Sequence, residues 1–262
     1  MFQHIKSIFC RHQKPQPLVS VIVTSYNYGR YLGMALDSLL NQSYRNFEIL
    51  VVDDGSTDNS SEIVSEYAKK YSCIKLYTHP NGVNMGIIAS IRLGISKAKG
   101  DYVAFCESDD YWAADHLGKV VEVIQNNNNV IIVANGVKLI GDEECIHSRE
   151  WYIELIKGKL KKGKNRINLH KHQERNYIPT FSAVTIKKDV LTSLDYETPI
   201  PAWIDFWLYR QILIEHPLYY VNEDLTFWRQ QPKSYNGASK EVTFEDSLRV
   251  FIPASNRLIG IK

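Results

Sequence analysis

The chain has 262 residues, of which 44% are hydrophobic and 23% charged, as is typical of a globular protein with a substantial core. Its formal net charge of +2 disfavours a nucleic-acid-binding protein, which usually carries a concentrated basic face. The four cysteines are widely separated and form no CxxC pair, so neither a disulfide framework nor a zinc cluster is indicated.

Residues 1–17 are predicted to be an N-terminal tail, because Pro15 and Pro17 stop any helix before the first strand. The apolar run in this tail is too short and broken for a secretory signal. No stretch of the chain approaches the roughly 18 uninterrupted apolar residues of a transmembrane helix. We therefore expect a cytoplasmic protein that is soluble or, at most, peripheral at the inner face of the membrane.

The first half of the chain alternates short β-branched apolar runs with segments whose apolar residues recur at helical spacing. This alternation predicts a parallel sheet with right-handed crossovers. Asn59 and Glu62 resemble a capping box at the start of the second helix. The predicted strands are 18–24, 47–52, 74–78 and 102–106, and the predicted helices are 32–40, 59–71 and 86–98.

After about residue 111 the pattern weakens. The segment 141–176 is polar and basic, with seven Lys or Arg residues between Lys157 and Lys171, and no helix or strand is assigned to it. We divide the chain into the tail, a first half at 18–112 and a second half at 113–262. The elements predicted in the second half are helices at 117–124 and 205–215 and strands at 130–134, 181–186 and 217–228.

Polar residues follow three of the predicted strands. Ligands of open parallel sheets bind outside the carboxyl ends of the strands. We therefore expect Thr24–Asn27, Asp53–Asp54 and Glu107–Asp110 to line one crevice.

The acidic run Glu107–Asp110 is the strongest local signal of chemistry. Three carboxylates within four residues repel one another and are tolerated when a cation lies between them, and oxygen ligands suit Mg²⁺ or Mn²⁺. A solvated acidic turn is the alternative. Asp53 and Asp54 could accept hydrogen bonds from a base imide or a ribose hydroxyl, or could form a helix-entry turn. Two acidic turns on neighbouring strand ends favour a ligand site.

Three segments resemble the opening of family 2 glycosyltransferases with the GT-A fold. They read VSVIVTSYN at 19–27, FEILVVDDGSTD at 47–58 and GDYVAFCESDDYW at 100–112. The resemblance spans about 95 residues and extends more weakly past residue 230. It implies an α/β, Rossmann-like GT-A fold, with a mostly parallel central sheet flanked by helices and a C-terminal acceptor-side subdomain. Residues 18–112 would bind the nucleotide-sugar, and residues 113–262 would bind the acceptor.

The resemblance implies roles for the strand-end residues of the first half. Thr24 and Tyr26 would border the nucleotide base, with Tyr26 stacked on it, while Asp54 would bond the base and Asp53 would support the same pocket. Ser108 would belong to the nucleotide-binding residues.

The segment from Glu107 to Asp109 occupies the DxD position, where the family binds Mn²⁺ or Mg²⁺ that bridges the diphosphate. Asp110 would be a further ligand or would support one. The longer side chain of Glu107, where Asp is usual, leaves open whether it contacts the metal directly. In a further motif of the family, Ile91 stands where an arginine is usual. Arg92 is the next residue, but neighbouring residues of a helix point about 100° apart. The case for a phosphate-contacting arginine is therefore weakened.

Asp205 is the candidate catalytic base. The stretch from Trp203 to Arg210 resembles the acidic motif that carries the base in the family, and Asp205 is the only acid at its start. A helix cap is the alternative role, and both roles can coexist. The later segment 226–234 resembles one that approaches the diphosphate, which implies a nucleotide-binding role for Arg229. Gln231 stands where histidine is common.

Four further features stay open between functional and structural interpretations. Asn176–Thr180 resembles the floor of the acceptor side. The basic run 157–171 could meet a lipid-linked acceptor or a membrane, and it could equally be a solvated loop. His170 and His172 are more simply a surface coincidence than a metal pair. Trp203 and Trp207 could stack on an acceptor sugar, although core packing is the commoner role.

The predicted function is an inverting, metal-dependent glycosyltransferase that moves a sugar from a nucleotide-diphosphate donor, most simply a UDP-sugar, to an acceptor hydroxyl. The expected acceptor is a saccharide or lipid-linked saccharide of bacterial surface polysaccharide or lipooligosaccharide synthesis. A nucleotidyltransferase is disfavoured, because it needs a Gly-rich loop after the first strand. The chain has no GxGxxG motif, which a dinucleotide-dependent dehydrogenase would need. A weakly active or inactive nucleotide-sugar-binding protein remains the alternative.

Overall fold

The computed structural model describes residues 15–166 and 176–232, together with residues 249 and 253. The predicted tail up to residue 14, His170 and His172, and the end of the basic run lie outside the described residues.

The described residues form one nine-stranded sheet with helices packed on both of its faces. The strands are β1 Val19–Ser25, β2 Phe47–Asp53, β3 Ile74–Thr78, β4 Tyr102–Phe105, β5 Tyr111–Trp112, β6 Ile132–Gly141, β7 Gly163–Asn165, β8 Val184–Lys187 and β9 Leu218–Gln230. The helices are α1 Gly29–Leu40, α2 Ser60–Lys70, α3 Ile87–Lys97, α4 His116–Asn126, α5 Glu143–Lys159, α6 Lys188–Ser193 and α7 Ile204–Leu213.

The strand order is β3-β2-β1-β4-β8-β6-β9-β5, with β7 paired to β9. The first four strands in this order are parallel, so the carboxyl ends of β1, β2 and β4 meet at one edge. Strand β8 is antiparallel to both β4 and β6, while β6 and β9 are parallel. The predicted GT-A-type sheet flanked by helices is confirmed.

Two apolar cores lie on opposite faces of the sheet. Alternate residues of the central strands enter one core or the other, as Ile22 and Val23 of β1 illustrate. Helix α1 buries the predicted stripe that includes Leu32, Leu36 and Leu39. Gly94 lets α3 approach β1 closely, because a Cβ atom there would lie 2.7 Å from Cγ2 of Ile22.

In the second half the predicted helices at 117–124 and 205–215 are found as α4 and α7, and the predicted strand at 217–228 is found as β9, but two elements differ from the prediction. Residues 143–159, to which no helix was assigned, form α5, because Asp142 caps its first turn and accepts a hydrogen bond from the Cys145 amide at 3.0 Å. Ile153 and Ile156 are the buried residues of this helix, so its sequence carries little apolar periodicity. Strand β6 runs seven residues beyond its predicted end at 134, because bulges around Gly136 let it follow β9.

Within the part of the chain that the structure describes, no helix is both long enough and apolar enough to cross a membrane.

Candidate functional site

A cavity of about 500 Å³ opens at the carboxyl ends of the parallel strands, a volume within the usual range of ligand sites. Residues from both halves of the chain line it. Among these residues are Thr24, Tyr26, Asp54, Glu107, Ser108, Asp109, Asp205 and Arg229. The structure thus brings together eight of the ten predicted site residues, and the two that do not line the cavity are Asp53 and Asp110.

The turn after β1 places Thr24 in the cavity wall and Tyr26 at the rim, where 45% of Tyr26 is exposed. Asn27 adopts a positive φ of 56° and fixes this turn to the next one. Its side-chain oxygen accepts a hydrogen bond from the Thr57 amide at 2.7 Å, and its amide donates to Ser56 Oγ at 3.0 Å. An exposed aromatic face at a rigid rim can stack on a planar ring.

Asp54 lines the cavity and also organises its wall. Its two carboxylate oxygens accept hydrogen bonds from the amides of Met85 and Gly86 at 2.7 and 2.9 Å. His79 Nε2 lies 3.4 Å from one of the same oxygens. The carboxylate therefore holds the segment before α3 against the end of β2 and keeps lone pairs free for a ligand.

Asp53 faces the turn and α2 instead of the cavity. Its carboxylate accepts hydrogen bonds from the amide and hydroxyl of Ser56, at 3.1 and 2.5 Å, and from the Ser61 hydroxyl at 3.0 Å. Gly55 follows with a φ of +75°, and a Cβ atom there would lie 2.7 Å from Asn84 N and from Gly82 O. Of the two roles predicted for Asp53 and Asp54, Asp53 therefore has the structural one, in the turn that enters the helix.

The acidic turn after β4 is tied to residues of the second half. Thr180 Oγ1 donates a hydrogen bond to Glu107 Oε2 at 2.5 Å, and Ser182 Oγ accepts one from the Glu107 amide at 2.9 Å. Burial, together with the nearby charges of Asp109 and Asp205, raises the pKa of Glu107 to about 7. Burial also raises the pKa of Asp109, although the Arg229 charge opposes this rise.

Asp110 points inward and anchors β9. Its Oδ1 atom accepts a hydrogen bond from the Arg229 amide at 2.8 Å, and only 1% of the residue is exposed. Burial and the charges of Asp109 and Glu107 raise its pKa well above its ordinary value. Its position fits support of the site better than direct contact with a ligand.

The acids of this turn fit a divalent cation in part. Among the described residues, no three His, Cys, Asp or Glu side chains are arranged to hold a metal ion by themselves. Glu107 and Asp109, however, both line the cavity, and burial is the main cause of the raised pKa of each. Mg²⁺ commonly takes one or two carboxylates together with phosphate oxygens, and these two side chains fit that arrangement.

Asp205 lies in the first turn of α7 and lines the same cavity. Its Oδ1 atom accepts a hydrogen bond from the Phe206 amide at 2.7 Å, and its Oδ2 atom accepts one from Asn176 Nδ2 at 3.1 Å. Burial raises the pKa of Asp205 to about 6. The carboxylate is therefore oriented by two donors and is a stronger base than an exposed aspartate.

Arg229 reaches the acidic turn from β9. Its Nε atom donates to the Asp109 carbonyl oxygen at 2.8 Å, and its guanidinium lies 4.4 Å from the centroid of the Tyr31 ring. Gln231, two residues on, donates from Nε2 to Asp109 Oδ2 at 2.9 Å and to the Tyr28 hydroxyl at 3.2 Å. Hydrogen bonds from Arg229 and Gln231 to Asp109 thus hold the end of β9 against the acidic turn.

Several cavity residues were missed by the sequence predictions. Tyr28, Arg149 and Trp228 line the cavity, and Arg149 belongs to the helix that had no apolar periodicity. Trp207 is buried in the core and donates from Nε1 to the Asp195 carbonyl oxygen. Of its two predicted roles, core packing therefore describes it. Arg92 packs 5.8 Å from the Tyr196 ring centroid and does not line the cavity.

Comparison with known proteins decides the family. The family model for glycosyl transferase family 2 matches residues 20–191, which is more than half of the chain. The chain belongs to glycosyl transferase family 2.

Two curated relatives of this family 2 chain illustrate the similarity. An uncharacterized glycosyltransferase of Haemophilus influenzae is 36% identical over 151 residues, which are 54% of this chain and 58% of that protein. The glycosyltransferase GlyG of Streptococcus pneumoniae is 26% identical over 228 residues, covering 83% of this chain and 72% of GlyG. The chain thus spans less than two thirds of the length of the Haemophilus relative.

Solved structures agree on the fold of this family 2 chain. Residues 1–349 of S. aureus TarS, in complex with UDP-GlcNAc, superpose with a TM-score of 0.68 at 21% identity, covering 92% of this chain and 65% of that chain. The mannosyltransferase PcManGT of Pyrobaculum calidifontis, in complex with GDP-Man and Mn²⁺, gives a TM-score of 0.65 at 17% identity, covering 94% and 73%.

Proposed function

We propose that this chain is an inverting glycosyltransferase that uses a nucleotide-diphosphate sugar, most simply a UDP-sugar. The observation that carries the proposal is the single cavity in which Thr24 and Asp54 share a space with Asp109, Asp205 and Arg229. Family membership supports the reaction class. The complexes of structural neighbours with UDP-GlcNAc and GDP-Man support a nucleotide-sugar as donor.

In this proposal the first half of the chain, residues 18–112, binds the nucleotide. Tyr26 stacks on the base, Thr24 and Asp54 border it, and Ser108 lies beside the phosphates. Asp53 acts on the pocket indirectly, through the turn that its carboxylate holds. Arg229 approaches the diphosphate from β9.

The second half, residues 113–262, supplies the acceptor side and the base. The acceptor oxygen forms a bond to the anomeric carbon while the bond from that carbon to the diphosphate oxygen breaks. Asp205 takes the acceptor proton, and this single displacement inverts the anomeric configuration. A divalent cation, Mn²⁺ or Mg²⁺, neutralises the leaving diphosphate when bound, and Asp109 with Glu107 are the residues that would hold it.

The proposed acceptor is a saccharide or lipid-linked saccharide of bacterial surface polysaccharide synthesis. A cytoplasmic site with peripheral contact to the membrane is the proposed setting. Trp151 of α5 is 66% exposed, and exposed lysines such as Lys159, Lys161 and Lys162 follow it, a combination that suits an anionic surface.

A nucleotide-sugar-binding protein without turnover is the second candidate. It is favoured by the Gln231 amide, which already donates a hydrogen bond to Asp109 Oδ2. In that case the donor would bind and no sugar would be released or transferred.

A thermal-shift screen of nucleotide-sugars with Mn²⁺, followed by mass spectrometry of released nucleoside diphosphate, tests the proposal. One donor class should raise the melting temperature by mass action and should be hydrolysed or transferred. Binding without turnover would support the second candidate. If no nucleotide-sugar stabilises the protein, both candidates are wrong.

A further inference from the structure

Arg149 is a cavity-lining cation that the proposed reaction does not use. It projects from α5, is partly buried, and lies with its guanidinium 5.1 Å from the centroid of the Trp228 ring. Burial lowers its pKa, although an arginine side chain stays charged in proteins. The described part of the chain offers no salt-bridge partner to Arg149.

The other cavity-lining arginine is differently placed. Arg229 donates from Nε to the Asp109 carbonyl oxygen, and the Asp109 charge faces its guanidinium. Among the described lining residues, Arg149 is therefore the cation that lies beside an aromatic ring, that of Trp228, and has no acid as a partner. A partly desolvated guanidinium that lies 5.1 Å from a ring centroid and has no acid beside it suits a planar anion, which it can bind through two N–H groups.

Tyr152 connects the surroundings of Arg149 with Asp205, because the charges of both residues act on its hydroxyl. Tyr152 lies one helical turn further along α5 and donates its hydroxyl hydrogen bond to the Asn176 carbonyl oxygen at 2.5 Å. The same Asn176 donates from Nδ2 to Asp205 Oδ2 at 3.1 Å. Asp54, which borders the proposed nucleotide, instead accepts hydrogen bonds from the amides of Met85 and Gly86.

We propose that Arg149 binds an anionic group, a phosphate or a carboxylate, on the acceptor. The inference rests on the proposed function, because it assigns the Asp205 end of the cavity to the acceptor. The acceptor hydroxyl then faces Asp205 while the acceptor's own charge lies against Arg149 and Trp228. The enzyme selects a charged saccharide over its neutral counterpart by this contact.

Matched small probes test the proposal in the UDP-loaded protein with Mn²⁺. Glycerol 1-phosphate is compared with glycerol, and methyl glucuronide with methyl glucoside, by ligand-observed NMR titration. The wild type should bind at least one anionic probe about tenfold more tightly than its neutral partner. Arg149→Gln should abolish that preference and leave the neutral probes unchanged, while Arg149→Lys should keep part of it. The exposed Lys70→Gln, on α2 and outside the basic run, is the control and should behave as wild type.

UDP affinity, measured on the same variants, separates this inference from the proposed function. It should stay within about twofold in Arg149→Gln, which also demonstrates a folded protein. The inference is overturned if the anionic preference survives in Arg149→Gln, if neither pair shows a preference, or if UDP affinity falls with the substitution, since Arg149 would then serve the donor. Failure of wild-type protein to bind UDP would instead contradict the proposed function.

Discussion

Asp205 combines burial with two hydrogen-bond donors, the Phe206 amide and the Asn176 side chain. Removing its negative charge while keeping its shape tests the proposed base. Asp205→Asn should reduce sugar transfer by about 10²- to 10⁴-fold, the usual contribution of a positioned base, and leave UDP affinity unchanged. The exposed Asp115→Asn serves as the control. Full transfer by Asp205→Asn, measured by mass spectrometry of the product, would remove Asp205 from the chemistry.

The pH dependence of transfer should report the same carboxyl. Because burial raises the pKa of Asp205 to about 6, the base is deprotonated at neutral pH and gains a proton below pH 6. The initial rate at saturating donor and saturating Mn²⁺ should fall about tenfold per unit below pH 6, and Mn²⁺ affinity measured over the same range separates this loss from protonation of Glu107, whose pKa is about 7. A folded-state pKa above the unfolded value means that protonation of Asp205 stabilises the fold. Melting temperatures recorded alongside therefore separate this loss of rate from unfolding.

Trp112 attaches the segment between β4 and α4 to the second half of the molecule. Its Nε1 atom donates to the Ser182 carbonyl oxygen at 2.8 Å, and its ring stacks on His116 with centroids 3.8 Å apart. Trp112→Phe should lower the free energy of unfolding by about 1–3 kcal/mol, because a buried hydrogen bond and packing are both lost.

The exposed Trp151 is the matched control for that substitution. Its Nε1 atom donates locally to the Ser148 carbonyl oxygen, and Trp151→Phe should change stability by less than about 0.5 kcal/mol. Equal effects of the two substitutions in urea unfolding would show that Trp112 does not fasten the segment.

Elements of the first half could be predicted from the sequence because each has a plain signal. Strands β1 and β2 are buried almost throughout, and α1 buries a regular stripe. Helix α5 gave no such signal, since most of its surface is polar. The sequence likewise placed Asp53 and Asp110 at strand ends but not their orientation, which depends on hydrogen bonds to Ser56 and Arg229.

At the scale of the whole molecule, one sheet joins the predicted halves, because β8 pairs with β4, and β5 pairs with β9. The cavity is consequently built from residues more than 100 positions apart, such as Asp109 and Arg229. The acids of the first half could be located because ligands of parallel sheets bind at the carboxyl ends of the strands. The position of Arg149 in the cavity could not be predicted, because it depends on the packing of α5, a helix that was not predicted.

His116 should make the whole fold sensitive to acid. It is fully buried, its Nδ1 atom donates to the Leu225 carbonyl oxygen at 3.2 Å, and burial lowers its pKa to about 3. The unfolded chain takes up this proton below about pH 6.5 and the folded chain does not, so this group destabilises the fold as pH falls from 6.5 towards 3.

Comparison of wild type with His116→Phe in urea unfolding isolates that effect. The variant should be less stable at pH 7, because the hydrogen bond to Leu225 is lost. The difference between the two proteins should shrink by about 1.4 kcal/mol per pH unit below pH 6. A difference that does not vary with pH would mean that His116 is not held neutral in the fold.

Isothermal titration of UDP, with and without Mn²⁺, tests the nucleotide site most directly. Wild-type protein should bind UDP, and Mn²⁺ should tighten this binding by about tenfold or more. Asp109→Ala should abolish the effect of Mn²⁺, while the exposed Asp115→Ala should retain it. No UDP binding by the wild type, or an effect of Mn²⁺ that survives in Asp109→Ala, would contradict a metal-assisted nucleotide site at the ends of β1, β2 and β4.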